Sequence, residues 1–317
     1  MQYNPIGEYT QRFNKVLDFI DRHLAEPVDL AALADVAHFS PFHFHRLFRA
    51  WMGETLGDYL RRRRLEVAAL YLMHRRRKSV LEVALEVGFG SGEAFSRAFR
   101  LQFGVTPTLW RKSTPQRWAD SLAGRTGGAM QSNPDRPLSK IDQAHNAGWA
   151  DHGAVTFQEF SMEIEIVNLP PTRVAYMRHI GPYGPGIGLL WQQKFLPWRA
   201  AQGLDNAACY GVGHDDPDVT PAERCRYDAC VAVPDDFVAH NPIGSANLPG
   251  GRYAVARFRG DAPAIGVAWR ELLREWLPAS GMQPDGRPLF EYYPADACHD
   301  PETGVFECQL CLPVKPL

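Results

Sequence analysis

The sequence has no long hydrophobic run and almost no net charge. No stretch of about 20 apolar residues is present, so a membrane-spanning helix is not expected. No apolar run follows a basic start, so a secretory leader is not expected either. Lys and Arg number 34 against 36 Asp and Glu, which excludes a strongly polybasic or polyacidic chain. We therefore expect a cytoplasmic protein, and its 317 residues predict two or more domains.

Cysteine is missing from the first 200 residues, since all six cysteines lie beyond that point. A disulfide framework is not expected in a reducing compartment. Cys308 and Cys311 have the spacing of a metal-binding pair, but they lie in an alternating, strand-like run in which positions i and i+3 face opposite sides. No second pair follows at finger-like spacing. We therefore predict reduced, structural thiols, no metal site and no cofactor.

The charge is distributed unevenly along the chain. Residues 1–112 contain 17 basic and 12 acidic side chains, a balance of +5, whereas residues 113–317 contain 17 and 24, a balance of −7. A basic N-terminal part favours a polyanionic partner, and an acidic C-terminal part favours a neutral or cationic one.

One pattern occurs twice between Asp29 and Gly104. Displacing the chain by 51 positions superposes V-A-H-F-S-P-F-H-F-H-R-L-F-R-A-W-M-G (Val36–Gly53) on V-G-F-G-S-G-E-A-F-S-R-A-F-R-L-Q-F-G (Val87–Gly104). An internal repeat defines the structural unit of a chain. Each copy here combines apolar residues at helical spacing with a short central turn, which predicts two similar helical units.

Each unit is predicted to be a helix, a tight turn and a second helix. Ser40 and Ser91 are N-cap residues for the second helices, and Pro41 suits a first helical turn. Thr55 to His74 is predicted to form one long helix between the units. A helix-turn-helix unit can place its second helix in a DNA major groove. A pair of helical hairpins that only stabilises the fold is the alternative, but two copies with arginine on the second helix favour DNA binding.

The region from Asp29 to Arg111 resembles the DNA-binding domain of the AraC family of transcription regulators. The resemblance rests on the tandem pattern, on G-F-G-S (Gly88–Ser91), on F-x-R-x-F-R (Phe95–Arg100) and on G-V-T-P-T-L-W-R (Gly104–Arg111). It implies that exposed positions of the two second helices contact bases. Those positions are Phe42, His45, Arg46, Gly92, Glu93 and Arg97. Because glycine has no side chain and glutamate repels phosphate, the second helix is expected to read bases weakly, with Arg97 as its best candidate.

Two arginine-rich runs occur in and after the predicted long helix. The first is Arg61 to Arg64, and the second is Arg75 to Lys78. A solvated helix face is the usual interpretation of such runs. Because these runs lie between two DNA-reading units, we expect them to contact phosphates, with Arg61, Arg62 and Arg64 as the candidates.

Ser113 to Thr156 is predicted to be a linker, because this stretch is rich in Gly, Ser, Pro, Asn and Asp. The domain boundaries are therefore expected at 1–112, 113–156 and 157–317. The last domain is also a repeat, because a displacement of 79 positions aligns Leu169–Gly181 with Leu248–Gly260 and Tyr227–Pro234 with Phe306–Pro313. Each half is predicted to be strand, helix, strand, strand. The expected fold is an all-α tandem helix-turn-helix domain followed by an α+β domain with pseudo-twofold symmetry and a cleft.

The C-terminal domain resembles the GyrI-like effector-binding domains, which accompany AraC-type modules in Rob-type regulators. The resemblance rests on Leu169-Pro-Pro, His179–Tyr183, Leu248–Tyr253 and Phe290–Tyr293. It implies that Glu291 faces the cleft and meets cationic or lipophilic ligands, as in multidrug sensors. Alternation along the strand places Glu291 among apolar and aromatic neighbours, which supports the same expectation. The candidate wall residues are Tyr183, Trp191, Tyr210, Tyr253, Trp269 and Tyr293.

These patterns predict a transcription regulator that binds double-stranded DNA and a small effector, and that contacts RNA polymerase as a monomer or dimer. Two alternatives stay open. In the first, the C-terminal domain is a hydrolase with Glu291 as general base and Tyr183 or Tyr253 as proton donor. In the second, the protein is a ligand-independent activator whose C-terminal domain only docks a partner. The sequence contains no nucleophile–His–acid arrangement, so no catalytic residue is assigned.

Overall fold

A computed structural model describes residues 5–75, 77–113, 163–217, 219–297, 300 and 303–316. Apart from Ser113, the predicted linker lies outside these residues. The described residues form two compact units that divide within one long helix. The first unit contains the residues up to Glu66 and those from 163 onward, and the second begins at Val67 and includes 67–113.

The first helix-turn-helix, called HTH1 below, is built from the N-terminal helices. These are α1 (Pro5–Arg22), α2 (Leu30–Val36), α3 (Pro41–Met52) and the first half of α4 (Leu56–His74). Its core is largely aromatic, because Phe13 of α1 lies between Phe44, Phe48 and Trp51 of α3 with ring centroids 5.3–6.4 Å apart. Helix α4 confirms the long helix that was predicted from Thr55 to His74, although it begins one residue later, at Leu56.

The second helix-turn-helix, HTH2, contains α5 (Val80–Glu86), α6 (Gly92–Phe103) and α7 (107–113). Phe95 and Phe99 of α6 are fully buried. Trp110 of α7 packs edge-on against Phe99, with ring centroids 5.6 Å apart, and donates its indole N–H to the carbonyl of Ala69 (3.3 Å). The apolar stripe predicted for the second copy is thus its core.

The repeat spacing differs between the two helices of each unit. Helices α3 and α6 are 51 positions apart, as the sequence predicted, but α2 and α5 are only 50 apart. The N–H of Phe39 bonds to Ala34 O and that of Phe89 bonds to Ala84 O, both at 2.9 Å, so the turns begin alike. The second turn contains one extra residue before its capping serine. The predicted match of Val36 with Val87 is therefore corrected, because buried Val87 corresponds to buried Ala37.

The helix N-caps that the sequence predicted are confirmed only in part. The Ser91 hydroxyl accepts from Ala94 N (3.2 Å), as expected for an N-cap. Ser40 is also at the N-cap of α3, and Pro41 follows at the first helical position, but the Ser40 side chain makes no capping bond. Ser79 and Glu82 form a reciprocal capping box at the start of α5. Both second helices end at a left-handed glycine, Gly53 or Gly104.

The C-terminal domain contains an antiparallel sheet built from two halves with the same order of strands and helices. Its strands are β1 (Ile164–Leu169), β2 (Thr172–Ile180), β3 (Cys209–Gly213), β4 (Arg226–Ala232), β5 (Gly244–Leu248), β6 (Gly251–Gly260), β7 (Met282–Pro284), β8 (Phe290–Tyr293) and β9 (Phe306–Pro316). The order is β1-β6-β9-β8-β3-β4-β2-β5, with β7 paired to β9. The predicted strand–helix–strand–strand halves are confirmed, and they meet where β3 pairs with β8.

Two strands of this sheet are exchanged between the halves. Strand β1 precedes the first half in the chain but pairs with β6 of the second, whereas β5 precedes the second half and pairs with β2 of the first. Neither strand was predicted from the sequence. Both strands lie at the edges of the sheet, and most of their residues are exposed or only partly buried, which gives a weak sequence signal.

Two long helices cover one face of the sheet. Helix α8 comprises Pro185–Leu189, a π-helical segment Leu190–Phe195 and Leu196–Ala201. Helix α9 comprises Ala262–Glu271, a π-helical segment Leu272–Trp276 and Leu277–Ala279. This helix-covered face is called the helical face below, and the other is the open face. Cys308 lies on the helical face and Cys311 on the open face, as the alternation predicted. Within the described residues, no helix combines the length and apolar character that crossing a bilayer requires.

Candidate functional site

Helix α3 presents a polar surface opposite its aromatic core. His45 and Arg46 are exposed, whereas Phe44 and Phe48 are fully buried. This division follows the helical period, because positions 44 and 48 lie on one face and positions 45 and 46 lie outside it. Phe42 lies in the first turn of α3, but its side chain lies outside what the structure describes.

Helix α6 repeats this arrangement. Glu93 and Arg97 are exposed one turn apart, and Arg100 is exposed in the last turn. Phe95 and Phe99 hold the opposite face in the HTH2 core. Each second helix therefore offers at least one exposed arginine, the residue type that most often makes bidentate contacts with guanine.

The arginines of α4 are placed differently from the sequence prediction. Arg61 is 58% exposed, but Arg62 is only 8% exposed and bonds to Glu54 (2.7 Å) and Glu66 (2.8 Å). Arg64 donates to the carbonyls of Leu24 and Glu26, both at 2.8 Å. A buried, ion-paired guanidinium cannot reach a phosphate without breaking its pairs. Arg62 is therefore unavailable for phosphate contact, whereas Arg61 and the partly exposed Arg64 stay candidates.

The second basic run also has structural partners. Arg75 is buried, lies 3.5 Å from the centroid of the Tyr71 ring and bonds to Glu86 (2.5 Å). Lys78 pairs with the same carboxylate. These interactions fix the end of α4 to α5, so Arg75 and Lys78 stabilise HTH2 rather than forming a free basic surface.

Glu291 lies on the helical face of the C-terminal domain, at the junction of the two halves. It is partly buried on β8, opposite Gly211 of β3. Its carboxylate accepts three hydrogen bonds, from Tyr227 Oη (2.9 Å), Tyr293 Oη (3.0 Å) and Trp269 Nε1 (3.2 Å). Among the described residues, no Lys or Arg forms an ion pair with it. The result is a carboxylate held by neutral aromatic donors.

Gly211 provides the space in which these groups meet. A Cβ atom at this position would collide with both the Tyr227 hydroxyl and the Glu291 carboxylate. Glycine inside a strand weakens it and often marks a close approach by another group. Gly211 is therefore part of the site, although it contributes no side chain.

Burial controls the protonation of the site. It raises the pKa of Glu291 above the ordinary glutamate value, although its three hydrogen bonds act in the opposite direction. Burial also raises the pKa of Tyr227 well above its ordinary value, and the nearby Glu291 carboxylate adds to this effect. Tyr227 is therefore a neutral donor at neutral pH. In the part of the chain that the structure describes, no ion pair compensates the charge of an ionised Glu291.

Most of the predicted wall residues surround this carboxylate. Trp269 and Tyr293 bond to it directly, and Trp191 donates its indole N–H to Tyr227 Oη (3.2 Å). Trp191 also packs against Tyr293, with ring centroids 5.5 Å apart. Tyr183 lies one ring further away, with its centroid 6.1 Å from that of Tyr227.

Tyr210 and Tyr253 are not brought together with Glu291. Tyr253 is fully buried on the open face, where its hydroxyl donates to Pro249 O (2.9 Å) and its ring lies under Arg287. Tyr210 packs on the same face against Phe290. Their positions in the strands point them away from the helices, so we remove both from the candidate site.

Tyr227 and Gly211 were not predicted from the sequence as site residues. Tyr227 lies in a charged strand, R-Y-D-A-C (226–230), where alternation alone places it opposite Arg226 and Asp228. Gly211 stands between Tyr210 and Val212, and a glycine between large strand residues was the available signal. Neither signal identifies Glu291 as the partner, because Tyr227, Gly211 and Glu291 lie on three different strands.

Comparison with known families agrees with this division of the chain. A model described as a GyrI-like small molecule binding domain matches residues 162–315, and a helix-turn-helix domain model matches residues 33–113. Together these matches include the candidate effector site and both second helices.

Individual relatives match separate parts of the chain. YosT of Bacillus subtilis, a prophage-derived candidate transcriptional regulator, is 34% identical over 133 residues, covering 42% of this chain and 89% of YosT. The regulatory protein SoxS of Escherichia coli K12 is 36% identical over 96 residues, covering 30% of this chain and 89% of SoxS. The transcriptional regulator Rob of Salmonella typhimurium is 37% identical over 99 residues, covering 31% of this chain and 34% of Rob. The chain belongs to the AraC-type helix-turn-helix transcription regulators that carry a GyrI-like small-molecule binding domain.

Proposed function

We propose that this regulator contacts promoter DNA through α3 and α6, and that a lipophilic cation binding at Glu291 controls it. The proposal rests on one observation. A partly buried carboxylate accepts three hydrogen bonds from aromatic side chains and has no basic partner among the described residues. Such a site favours a ligand that brings a positive charge and an apolar body.

The aromatic neighbours explain why the cation should be lipophilic. Trp191, Trp269 and Tyr293 offer ring faces as well as donors, and a cation over such a face gains about 1–2 kcal/mol when it is desolvated. A small hydrated ion would lose more hydration energy than these rings return. An organic cation with spread charge is therefore the expected effector class.

Replacing Glu291 by glutamine tests this proposal, because the change removes the charge and keeps the shape. For tetraphenylphosphonium we expect Glu291→Gln to weaken binding by about 2 kcal/mol, or roughly 30-fold in Kd. Glu275 is exposed on α9, so Glu275→Gln is the matched control and should bind as the wild type does. Titration calorimetry measures both. Equal affinity of the wild type and Glu291→Gln would show that the carboxylate does not recognise the ligand.

The dependence on pH provides an independent arm of the same test. Because the pKa of Glu291 is raised, the carboxylate is partly protonated near that pKa, and cation binding must release the proton. The affinity for tetraphenylphosphonium should therefore increase as the pH rises, while Glu291→Gln should show no such increase. The uncharged compound triphenylphosphine oxide should bind both proteins with similar affinity at every pH.

The two alternatives predict different results. The predicted hydrolase needs Tyr183 or Tyr253 beside Glu291. The hydroxyl of Tyr183 bonds to Arg226 O and Asp215 N, and Tyr253 lies on the other face of the sheet. This arrangement favours binding over turnover. A ligand-independent activator would show no rise in melting temperature across a panel of lipophilic cations, whereas the proposed function requires one.

Contact with RNA polymerase and a cytoplasmic location remain parts of the proposal. Two second helices in one chain allow a monomer to occupy an asymmetric DNA site, so a dimer is not required. Sedimentation of the protein with a defined promoter duplex would distinguish one bound copy from two.

A further inference from the structure

Buried ion pairs join HTH1 to the open face of the C-terminal sheet. Asp21 of α1 accepts from Arg226 Nη1 of β4 (2.6 Å) and pairs with Arg63 of α4 (3.4 Å). Asp18, one turn earlier in α1, pairs with Arg178 of β2 (2.8 Å). HTH1 is therefore held by charged groups rather than by an apolar surface alone.

These charges form a balanced set, called the docking network below. Its members are Asp21, Glu54, Arg62, Arg63 and Glu66 of HTH1 with Asp215, Arg224 and Arg226 of the C-terminal domain. Four are acidic and four are basic. Buried charges are stable only when each has its partners, and removal of one partner leaves another uncompensated. The network therefore favours one arrangement of HTH1 on the sheet.

Asp215 is the central acid of the docking network. Its side chain is fully buried and accepts from Arg63 and from the guanidinium of Arg226 (2.9 and 3.0 Å). It also accepts from the backbone N–H of Arg226 (2.8 Å). The position of the loop after β3 therefore decides whether Arg63 of HTH1 keeps its partner from the C-terminal domain.

Tyr183 holds that loop. Its hydroxyl donates to the carbonyl of Arg226 (2.6 Å) and accepts from the backbone N–H of Asp215 (3.2 Å). Tyr183 lies in the loop after β2, between two glycines with positive φ, Gly181 and Gly184. One phenol hydroxyl thus ties the backbone of two network residues together.

The ring of Tyr183 contacts the effector site on the other face of the sheet. It packs edge-on against Tyr227, with ring centroids 6.1 Å apart. Tyr227 donates to Glu291 and is the direct neighbour of Arg226 on β4. Because neighbouring strand residues face opposite sides, Arg226 belongs to the docking network and Tyr227 to the effector site. Tyr183 contacts both residues at the end of the strand.

We propose that Tyr183 is the positioning residue that transmits occupation of the Glu291 site to the docking of HTH1. This inference rests on the proposed function of that site. Glu291 already accepts three hydrogen bonds, and Trp191, Tyr227 and Tyr293 pack around it, so an incoming cation must displace a donor. Displacement of Tyr227 moves the surface on which the Tyr183 ring rests. Tyr183 then releases the Asp215 loop, Arg63 loses one of its three carboxylate partners, and HTH1 docks less firmly.

A first experiment needs no ligand and tests the connection between Tyr183 and HTH1. Tyr183→Phe removes the hydroxyl and keeps the ring against Tyr227. We expect amide hydrogens of α1 to exchange at least fivefold faster in the full-length variant, because α1 is held by Asp18 and Asp21. Tyr292→Phe is the matched control, since it removes a phenol hydroxyl on the open face of the same sheet and should change α1 exchange less than twofold.

A second experiment adds tetraphenylphosphonium to the full-length proteins. In the wild type we expect the ligand to increase α1 exchange at least fivefold, within the usual range of coupling between sites. In Tyr183→Phe its Kd should stay within twofold of the wild type, while the change in α1 exchange on binding should fall below twofold. Retained affinity with lost response is the result that a merely structural tyrosine would not give.

The outcomes separate this inference from the proposed function. If Tyr183→Phe exchanges and responds as the wild type does, the inference is overturned, whatever the ligand affinity. If tetraphenylphosphonium fails to bind, or binds the wild type and Glu291→Gln equally, the proposed function is overturned. The ligand-free experiment then still decides whether Tyr183 holds HTH1.

Discussion

Asp215→Asn is the most severe test of the docking network. The substitution keeps the size of the side chain but removes the negative charge between Arg63 and Arg226. The Asp215 side chain is 0% exposed, so water cannot replace the lost partner. In addition, the amide nitrogen of asparagine would place N–H donors against guanidinium donors. The variant therefore leaves a buried excess of positive charge.

The expected magnitude follows from the ion pairs that the substitution breaks. Breaking a buried ion pair by removing one partner costs about 3–5 kcal/mol, because the remaining charge stays buried and uncompensated. Asp215 accepts from two arginines, but Asp21 and Glu66 still pair with them, which favours the lower end of this range. A cost of about 3 kcal/mol changes the docking equilibrium of HTH1 by roughly 150-fold.

Amide hydrogen exchange of α1 measures this effect in the full-length protein. If α1 exchanges through undocking of HTH1, Asp215→Asn should accelerate its slowest amides about 100-fold. Asp205 lies on an exposed loop, so Asp205→Asn should leave α1 exchange unchanged. Acceleration of less than threefold in Asp215→Asn, with the fold otherwise intact, would refute the reasoning that the network holds HTH1.

Asp215 of the docking network and Asp228 of β4, which lies outside the network, make an acid-sensitive contribution to stability. Burial by itself would raise the pKa of Asp215, but Arg226 and Arg63 hold it well below its ordinary value of 3.8, and Arg178 and His214 do the same for the pKa of Asp228. A depressed pKa stabilises the folded state above the ordinary value, and this stability is lost as the pH falls from that value towards the depressed pKa. Each carboxylate then contributes a loss of about 1.4 kcal/mol per pH unit. Below about pH 4, the stability of Asp215→Asn should therefore fall less steeply than that of the wild type in urea titrations.

Two further predictions concern the effector site and the DNA surface. Gly211→Ala should lower the unfolding free energy by about 1–3 kcal/mol and weaken tetraphenylphosphonium binding more than tenfold, because the new Cβ separates Tyr227 from Glu291. A Cβ at Gly188 meets nothing within 4 Å, so Gly188→Ala is the control in thermal melts and calorimetry. Equal tetraphenylphosphonium affinity of Gly211→Ala and Gly188→Ala would contradict the prediction. Arg46→Ala and Arg97→Ala should each weaken binding to a selected duplex by about 1–3 kcal/mol and relax the base preference at one position of the duplex. Arg61→Ala should instead reduce the slope of the logarithm of the binding constant against the logarithm of the salt concentration by about one, without changing the base preference. Fluorescence anisotropy across salt concentrations measures these effects. Arg259→Ala is the control, because the Arg259 side chain is 73% exposed in the C-terminal domain. A comparable loss of DNA affinity in this control would argue against the assigned roles of Arg46, Arg61 and Arg97.

Local patterns predicted the secondary structure of most of the chain. The spacing of Phe44 and Phe48, and of Phe95 and Phe99, marks the buried faces of α3 and α6. Alternation marks the central strands, and the two repeats relate the copies. These signals involve residues close together in the chain, where the helical period of 3.6 or the strand period of 2 fixes which side chains share a face. The outer strands β1 and β5 escaped prediction because their partners lie in the opposite half.

The sequence indicated Glu291 as the centre of a candidate effector site, but it did not indicate which side chains surround this residue. Glu291 stands out in sequence as an acid among aromatic residues, and the resemblance to GyrI-like domains supports its position. Its donor Tyr227 and the space at Gly211 depend on how β3, β4 and β8 pair. Tyr253 has the same residue type as Tyr227, but its strand position turns it to the open face.

The sequence alone determined that the chain has two helix-turn-helix units and a duplicated α+β domain, because each repeat contains its own periodic apolar faces and turn residues. Only the tertiary structure decided which charges are available. Arg61, Arg62 and Arg63 are consecutive in sequence and chemically identical, yet one is exposed and the other two are buried in ion pairs with Glu54, Glu66 and Asp215. The reason is physical: the behaviour of a charge depends on the water and partners around it, and distant parts of the chain supply those partners.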